Sequence, residues 1–182
     1  MKQFLFSLAI LFMMYAVHAQ KYYTKNGNVS FFSKTSLEDI KADNNQVMSV
    51  LNTQTGDMQF SLLIKSFHFQ KELMEEHFNE NYMESNKFPK ASFKGIIAEP
   101  GKIDFTKDGV YKVNVNGELT IHGVTNKVSS IGSVTINAGK ISASSDFTVK
   151  LEDYNIAIPK LVKDNIAESI NIKVNCNFEQ KM

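Results

Sequence analysis

The stretch VYKVNVNGELTIH, residues 110–122, alternates between apolar and polar side chains almost without a break. Tyr111, Val113, Val115, Leu119 and Ile121 fall on one face with Gly117 among them, and Lys112, Asn114, Asn116, Glu118 and Thr120 fall on the other. A repeat of two is the period of a pleated strand, so this is one long strand with a single dry face. The pattern returns in INIKVNCNFE, residues 170–179, where Ile170, Ile172, Val174, Cys176 and Phe178 alternate with polar partners. Long strands dry on one side must wrap around something apolar.

Working outward, turn signals stand at Asn26-Gly27-Asn28, Thr55-Gly56-Asp57, Asp108-Gly109 and Asn137-Ala138-Gly139, each between strand-like runs. Gly and Asn tolerate the positive φ of tight hairpins, so these predict hairpin connections. The strands predicted between them lie near residues 22–25, 29–35, 46–52, 58–66, 91–99, 110–122, 126–136, 140–151 and 170–179, mostly antiparallel. Between Gln70 and Glu84 the period changes. Leu73, Met74, His77, Phe78 and Tyr82 follow helical spacing while Glu72, Glu75, Glu76 and Glu80 gather opposite, which predicts an amphipathic helix ended by Pro89. A second insertion, residues 153–169, is broken by Pro159, with a helical turn expected over residues 161–167. The fold class is all-β. A closed antiparallel barrel of about eight strands with a helix over part of its opening accounts for the pattern. A two-sheet sandwich needs the same alternation, so periodicity alone leaves both open; strand length and the removal of exposed edges favour the barrel.

The first 19 residues read as an exported protein's signal peptide: Lys2, an apolar run over residues 4–17, and Val17-His18-Ala19 before the expected cleavage. The apolar run is too short for a comfortable bilayer span, and the mature chain is expected to carry no integral membrane segment. Residues 20–182 then form a single domain, exported to the periplasm or secreted outside the cell. Removing Lys2 takes the 20 basic residues to 19, equal to the 19 acidic ones, so bulk attraction to nucleic acid is not expected. Every basic residue is Lys, which excludes two-pronged guanidinium recognition of phosphate. The single Cys176 lies on a dry face and reads as a buried small hydrophobe.

Phe60, Leu62 and Ile64 share one strand face, and Phe67, Phe69, Leu73, Met74 and Phe78 follow into the helix, with Phe93 and Phe147 farther on. These side chains either line an apolar tunnel or simply fill the barrel, and composition leaves both readings open. His68, His77 and His122 do not pair at metal-ligand spacing, so no metal site is expected. His77 reads as a core or cavity-lining residue and His122 as a turn residue. There is no Gly-x-Ser-x-Gly elbow and no phosphate-cradling loop, and Asp153-Tyr154 reads as a strand end, so no catalytic residue, cofactor or enzymatic activity is expected.

Four blocks occur in order: KSFHF (residues 65–69) with MEEHF (residues 74–78), NKFPKASF (residues 86–93), GELTIHGVT (residues 117–125) and FTVKLEDYNI (residues 147–156). Together they resemble the YceI-like family, the lipid- or polyisoprenoid-binding family of exported bacterial proteins, over nearly the whole mature chain. The resemblance implies an extended lipocalin-like antiparallel β-barrel whose interior holds a long isoprenoid, quinone or fatty-acyl chain for sequestration or transport. The residues expected from their faces to line that interior are Phe60, Leu62, Ile64, Phe69, Leu73, Met74, His77, Phe78, Phe93, Leu119, Ile121 and Phe147. Where the family tends to carry an Arg-Asp pair before the helix, this sequence has Gln70, Lys71 and Glu72. The alternative expectation is an exported interaction module with a filled core. The fold is compatible with a homodimer, and nothing in the sequence requires one.

Overall fold

The computed structural model describes residues 21–181, with side chains through Glu179. The signal peptide expected over residues 1–19 lies outside the described residues. Among the described residues ten strands run in chain order: β1 (Lys21–Lys34), β2 (Asp39–Asn52), β3 (Asp57–Leu63), β4 (His68–Phe69), β5 (Lys90–Ile97), β6 (Gly109–Ile121), β7 (Val124–Asn137), β8 (Lys140–Lys150), β9 (Ser169–Phe178) and β10 (Gln180–Lys181). All pairings are antiparallel, in the order β1-β9-β8-β7-β6-β5-β3-β2, and β2 returns to β1, closing an eight-stranded barrel. The two-residue strand β4 pairs with β2 beyond the end of β3, and β10 pairs with the start of β1. Closure leaves no barrel strand with an edge free along its whole length, as the length of the strands suggested.

Two expectations need correction. Asn26-Gly27-Asn28 is not a hairpin; β1 runs straight through it, and the register against β2 shifts on both sides of Gly27. The glycine is buried in a close approach, since a Cβ there meets Cys176 Sγ at 2.6 Å and Val47 O at 3.1 Å. It serves packing at a bulge, and the flanking polar residues disguised one strand as two. The first half of β2 reads as polar in sequence yet is strand, because Ala42 and Asn44 point inward, each 0% exposed. Asn44 donates to Leu63 O and accepts from Gln46 N–H, both at 2.9 Å, so the one polar group buried there is fully used.

The predicted helix is shorter and turned from its expected face. Helix α1 (Glu72–His77) runs into a π-helical turn over Phe78–Tyr82. Glu75, placed on the wet side by the sequence, turns toward the barrel, where its carboxylate accepts from Phe69 N–H at 3.2 Å. That rotation keeps Met74 and Phe78 inward and leaves Leu73 61% exposed. In the insertion the helical turn is a single 3₁₀ turn, Lys160–Val162.

The two barrel ends differ. At the end holding the β2–β3, β5–β6 and β7–β8 connections, Leu51, Ile97, Val134, Ile136, Ile141 and Phe178 form a continuous core, and Ile103 and Phe105 of the β5–β6 connection pack into it. At the other end lie the β1–β2 turn, the segment between β3 and β5 that carries α1, the β6–β7 turn, and the connection of residues 151–168. The functional geometry sits there.

Candidate functional site: an apolar cavity above the filled core

Above the plugged end the interior is hollow. A cavity of about 410 Å³ runs from a floor of Met58, Ile97, Val113 and Val134 to the helix-bearing end. Its ceiling is an aromatic cluster: Phe31 packs on Phe67, Phe69 and Phe78, with ring centroids 5.3, 5.7 and 5.4 Å apart. Rings from β1, β4 and the helix meet there because edge and offset contacts between aromatic faces are favourable. Phe60 and Phe93 make a second pair at 6.0 Å lower on the wall. Phe93 lies across two facing glycines: a Cβ on Gly95 or Gly117 would strike its ring at 2.4 or 2.6 Å. The glycine noted inside the dry face of β6 thus lets a large ring lie flat against the wall, so the ring does not block the interior.

Charge is confined to the rim. Glu38 of the β1–β2 turn accepts from Lys71 at 3.4 Å and from Asn165 at 3.2 Å, joining three segments around the mouth. Of the residues expected to line a tunnel, Phe60, Leu62, Ile64, Phe69, Met74, Phe78, Phe93, Leu119, Ile121 and Phe147 do face the cavity. His77 stands at the rim, exposed to solvent. Leu73 does not reach it, for the reason given by Glu75. Sequence reasoning missed Phe31 and Val115, whose place on the dry faces was legible, and the small inward residues Gly132, Ala143 and Ser145 of β7 and β8, which create the room. A run of small residues on an otherwise bulky dry face was the available signal.

His122 holds the lid to the barrel. It and Gly123 form the two-residue β6–β7 turn, both with positive φ (51° and 74°), a conformation glycine adopts freely. The buried imidazole places Nε2 2.8 Å from Glu84 Oε2 and Nδ1 3.2 Å from Tyr154 O, so one ring tethers the segment after the helix and the segment after β8. Both partners are hydrogen-bond acceptors. Cys176 is buried near Gly27, and burial pushes its thiol up to about 12. Among the described residues no group of three or more His, Cys, Asp or Glu side chains is placed to hold a metal ion, and no helix is long and apolar enough to cross a membrane.

Comparison with known proteins agrees with this architecture. A polyisoprenoid binding domain from Saccharophagus degradans superposes with a TM-score of 0.75 at 13% identity, over 88% of this chain and 98% of that one. BcnA of Burkholderia cenocepacia superposes with a TM-score of 0.69 at 20% identity, over 82% and 94%. The YceI protein of Campylobacter jejuni covers 99% of this chain and 100% of its own, at 16% identity and a TM-score of 0.52. These likenesses establish a shared fold. The search among curated proteins finds no match. The YceI-like domain family matches residues 15–178, nearly the whole sequence, and the chain belongs to that family.

Proposed function

We propose that this protein is a non-enzymatic binding protein that holds one long-chain apolar molecule of the isoprenoid, quinone or fatty-acyl type in its barrel. The cavity carries the reading: about 410 Å³ of space walled by aliphatic and aromatic side chains, inside a barrel whose other half is packed solid. At about 30 Å³ for each water-sized group, it takes some 14 methylene-sized units. At ~0.8 kcal/mol each, less at least ~4 kcal/mol for association, that supports an affinity near 10 µM. The polyisoprenoid binding domain among its structural neighbours supports the same ligand class. Export, suggested by the leader-like residues 1–19, fits a carrier that moves or shields lipids outside the cytoplasm.

The filled-core alternative fits only the lower half of the barrel. Lipid extraction and native mass spectrometry of protein purified from a bacterial host test the proposal. A stoichiometric apolar guest, or saturable uptake of a fluorescent fatty acid or quinone analogue, is the expected result. A clean unliganded mass with no uptake would refute it.

A further inference from the structure

Three buried polar side-chain atoms lack a hydrogen-bond partner among the described residues: Ser49 Oγ, Asn79 Oδ1 and the Tyr154 hydroxyl. Only Tyr154 lines the cavity. Its residue is 2% exposed, and burial pushes the phenol above its ordinary range. Asn126, whose amide donates to Asp153 O at 2.6 Å, also stands toward the phenol oxygen as a donor that acts against the rise, so it is the phenol's own proton that lacks an acceptor. A phenol shut away from water with no acceptor for its proton costs free energy, and such groups in native proteins call for a partner the fold itself does not supply.

The wall beside Tyr154 is also where the barrel parts. The β7–β8 ladder runs from Asn137–Lys140 to Gly132–Ser145 and stops there. Yet β7 stays paired to β6 as far as Val124, and β8 to β9 as far as Lys150. A slot is left between residues 124–131 and 146–150, bridged at its far end by the Asn126–Asp153 bond. At its near corner Ser145 Oγ lies 3.1 Å from both Ser130 Oγ and Ile131 O, so the two serine hydroxyls are already engaged. The cavity's lining includes Ser133 and Ser144, the last outward-facing pair of the ladder before the slot. Outside lies a shallow depression bearing Lys173 and Asp146, 3.7 Å apart and balanced in charge.

Resting on the carrier reading above, we propose that the Tyr154 hydroxyl anchors the polar end of the bound chain, and that this end is a neutral oxygen, an alcohol or a quinone carbonyl. Tyr154 donates to that oxygen, while the chain fills the space toward the floor. A charged phosphate fits poorly, because no Lys is among the residues lining the cavity and the mouth carries Glu38. A site built to bond an oxygen discriminates against the analogue that lacks it.

Farnesol and farnesene, which share a carbon skeleton and differ in the hydroxyl, test this against wild type and Tyr154→Phe. Wild type is expected to bind farnesol about tenfold more tightly than farnesene. In Tyr154→Phe the preference falls to within about twofold, farnesene affinity is unchanged, and the unliganded protein melts at the same or a higher temperature, since the lost hydroxyl donates to nothing in the unliganded fold. A preference that survives in Tyr154→Phe, or no preference in wild type, overturns the anchor and leaves the carrier reading standing. Failure of wild type to bind either compound overturns both.

Discussion

Replacing Ala143 with Phe tests whether the barrel is hollow. Ala143 points inward from β8, opposite Val134 and Cys176, and borders the cavity where Gly132 and Ser145 also leave room. In a void the added ring displaces four or five ligand methylenes. At ~0.8 kcal/mol each, binding weakens by ~3–4 kcal/mol, about 200- to 1000-fold. The same ring fills empty space without forcing its neighbours apart, so the unliganded protein keeps or gains stability. Were the interior already packed, the ring would have to push side chains off their rotamers at ~1–3 kcal/mol. For a domain of this size that lowers Tm by roughly 2–12 °C. Titration with a fluorescent fatty acid and thermal unfolding without ligand read the two quantities independently. Lost binding with an unchanged or raised Tm is expected; a lowered Tm with binding intact refutes the hollow-barrel reasoning.

His122→Ala removes both tethers of the lid, and urea unfolding is expected to show a loss of about 2–3 kcal/mol, because one of the two bonds is to a carboxylate; a change below about 0.5 kcal/mol contradicts the latch. Gly27→Ala is expected to cost about 1–3 kcal/mol by collision with Cys176 Sγ, part of which returns when Cys176→Ala is added; strict additivity of the two changes argues against the contact. The Cys176 thiol, ordinarily near 9, is held up to about 12 by burial, so the folded chain keeps its proton where the unfolded chain loses it. Its contribution to stability is therefore complete below about pH 9 and lost as pH rises toward 12, at no more than about 1.4 kcal/mol per pH unit. Unfolding curves of wild type and Cys176→Ala should diverge over that window, and parallel curves would refute the shift.

Much of the barrel was legible because its strands obey a period of two and its buried face is consistent: β6, β8 and β9 begin and end within a residue or two of where alternation places them. Legibility failed where a single residue served packing and not pattern. Gly27 looked like a turn because glycine is the commonest turn residue, and only the nearness of Cys176, 149 positions away in sequence, shows its use. Asn44 hid the start of β2 because a buried amide reads as surface until its partner at Leu63 is known. The helix was found, but its orientation depended on a bond from Phe69 to Glu75, which no hydrophobic periodicity encodes.

The cavity poses a different problem, since a void is a difference between facing surfaces and no single residue states it. The bulky residues that line it, Phe60, Leu62, Phe93 and Phe147, are equally good fillers; they surround space because β7 and β8 present Gly132, Ala143 and Ser145 across from them. The floor is solid because the same two strands present Val134, Ile136 and Ile141 a few residues on. The inward side chains of these two strands thus shrink from Val134, Ile136 and Ile141 to Gly132, Ala143 and Ser145 over the last rungs of the β7–β8 ladder, which ends at Gly132–Ser145. Small side chains at that junction give the two strands little apolar contact, so hollowing the interior and ending the ladder follow from one choice of residues. If that coupling is correct, Ala143→Phe should do more than occupy space. By restoring contact beside Ser145 it should raise hydrogen-exchange protection at the end of the β7–β8 ladder, and protection unchanged there would separate the slot from the cavity.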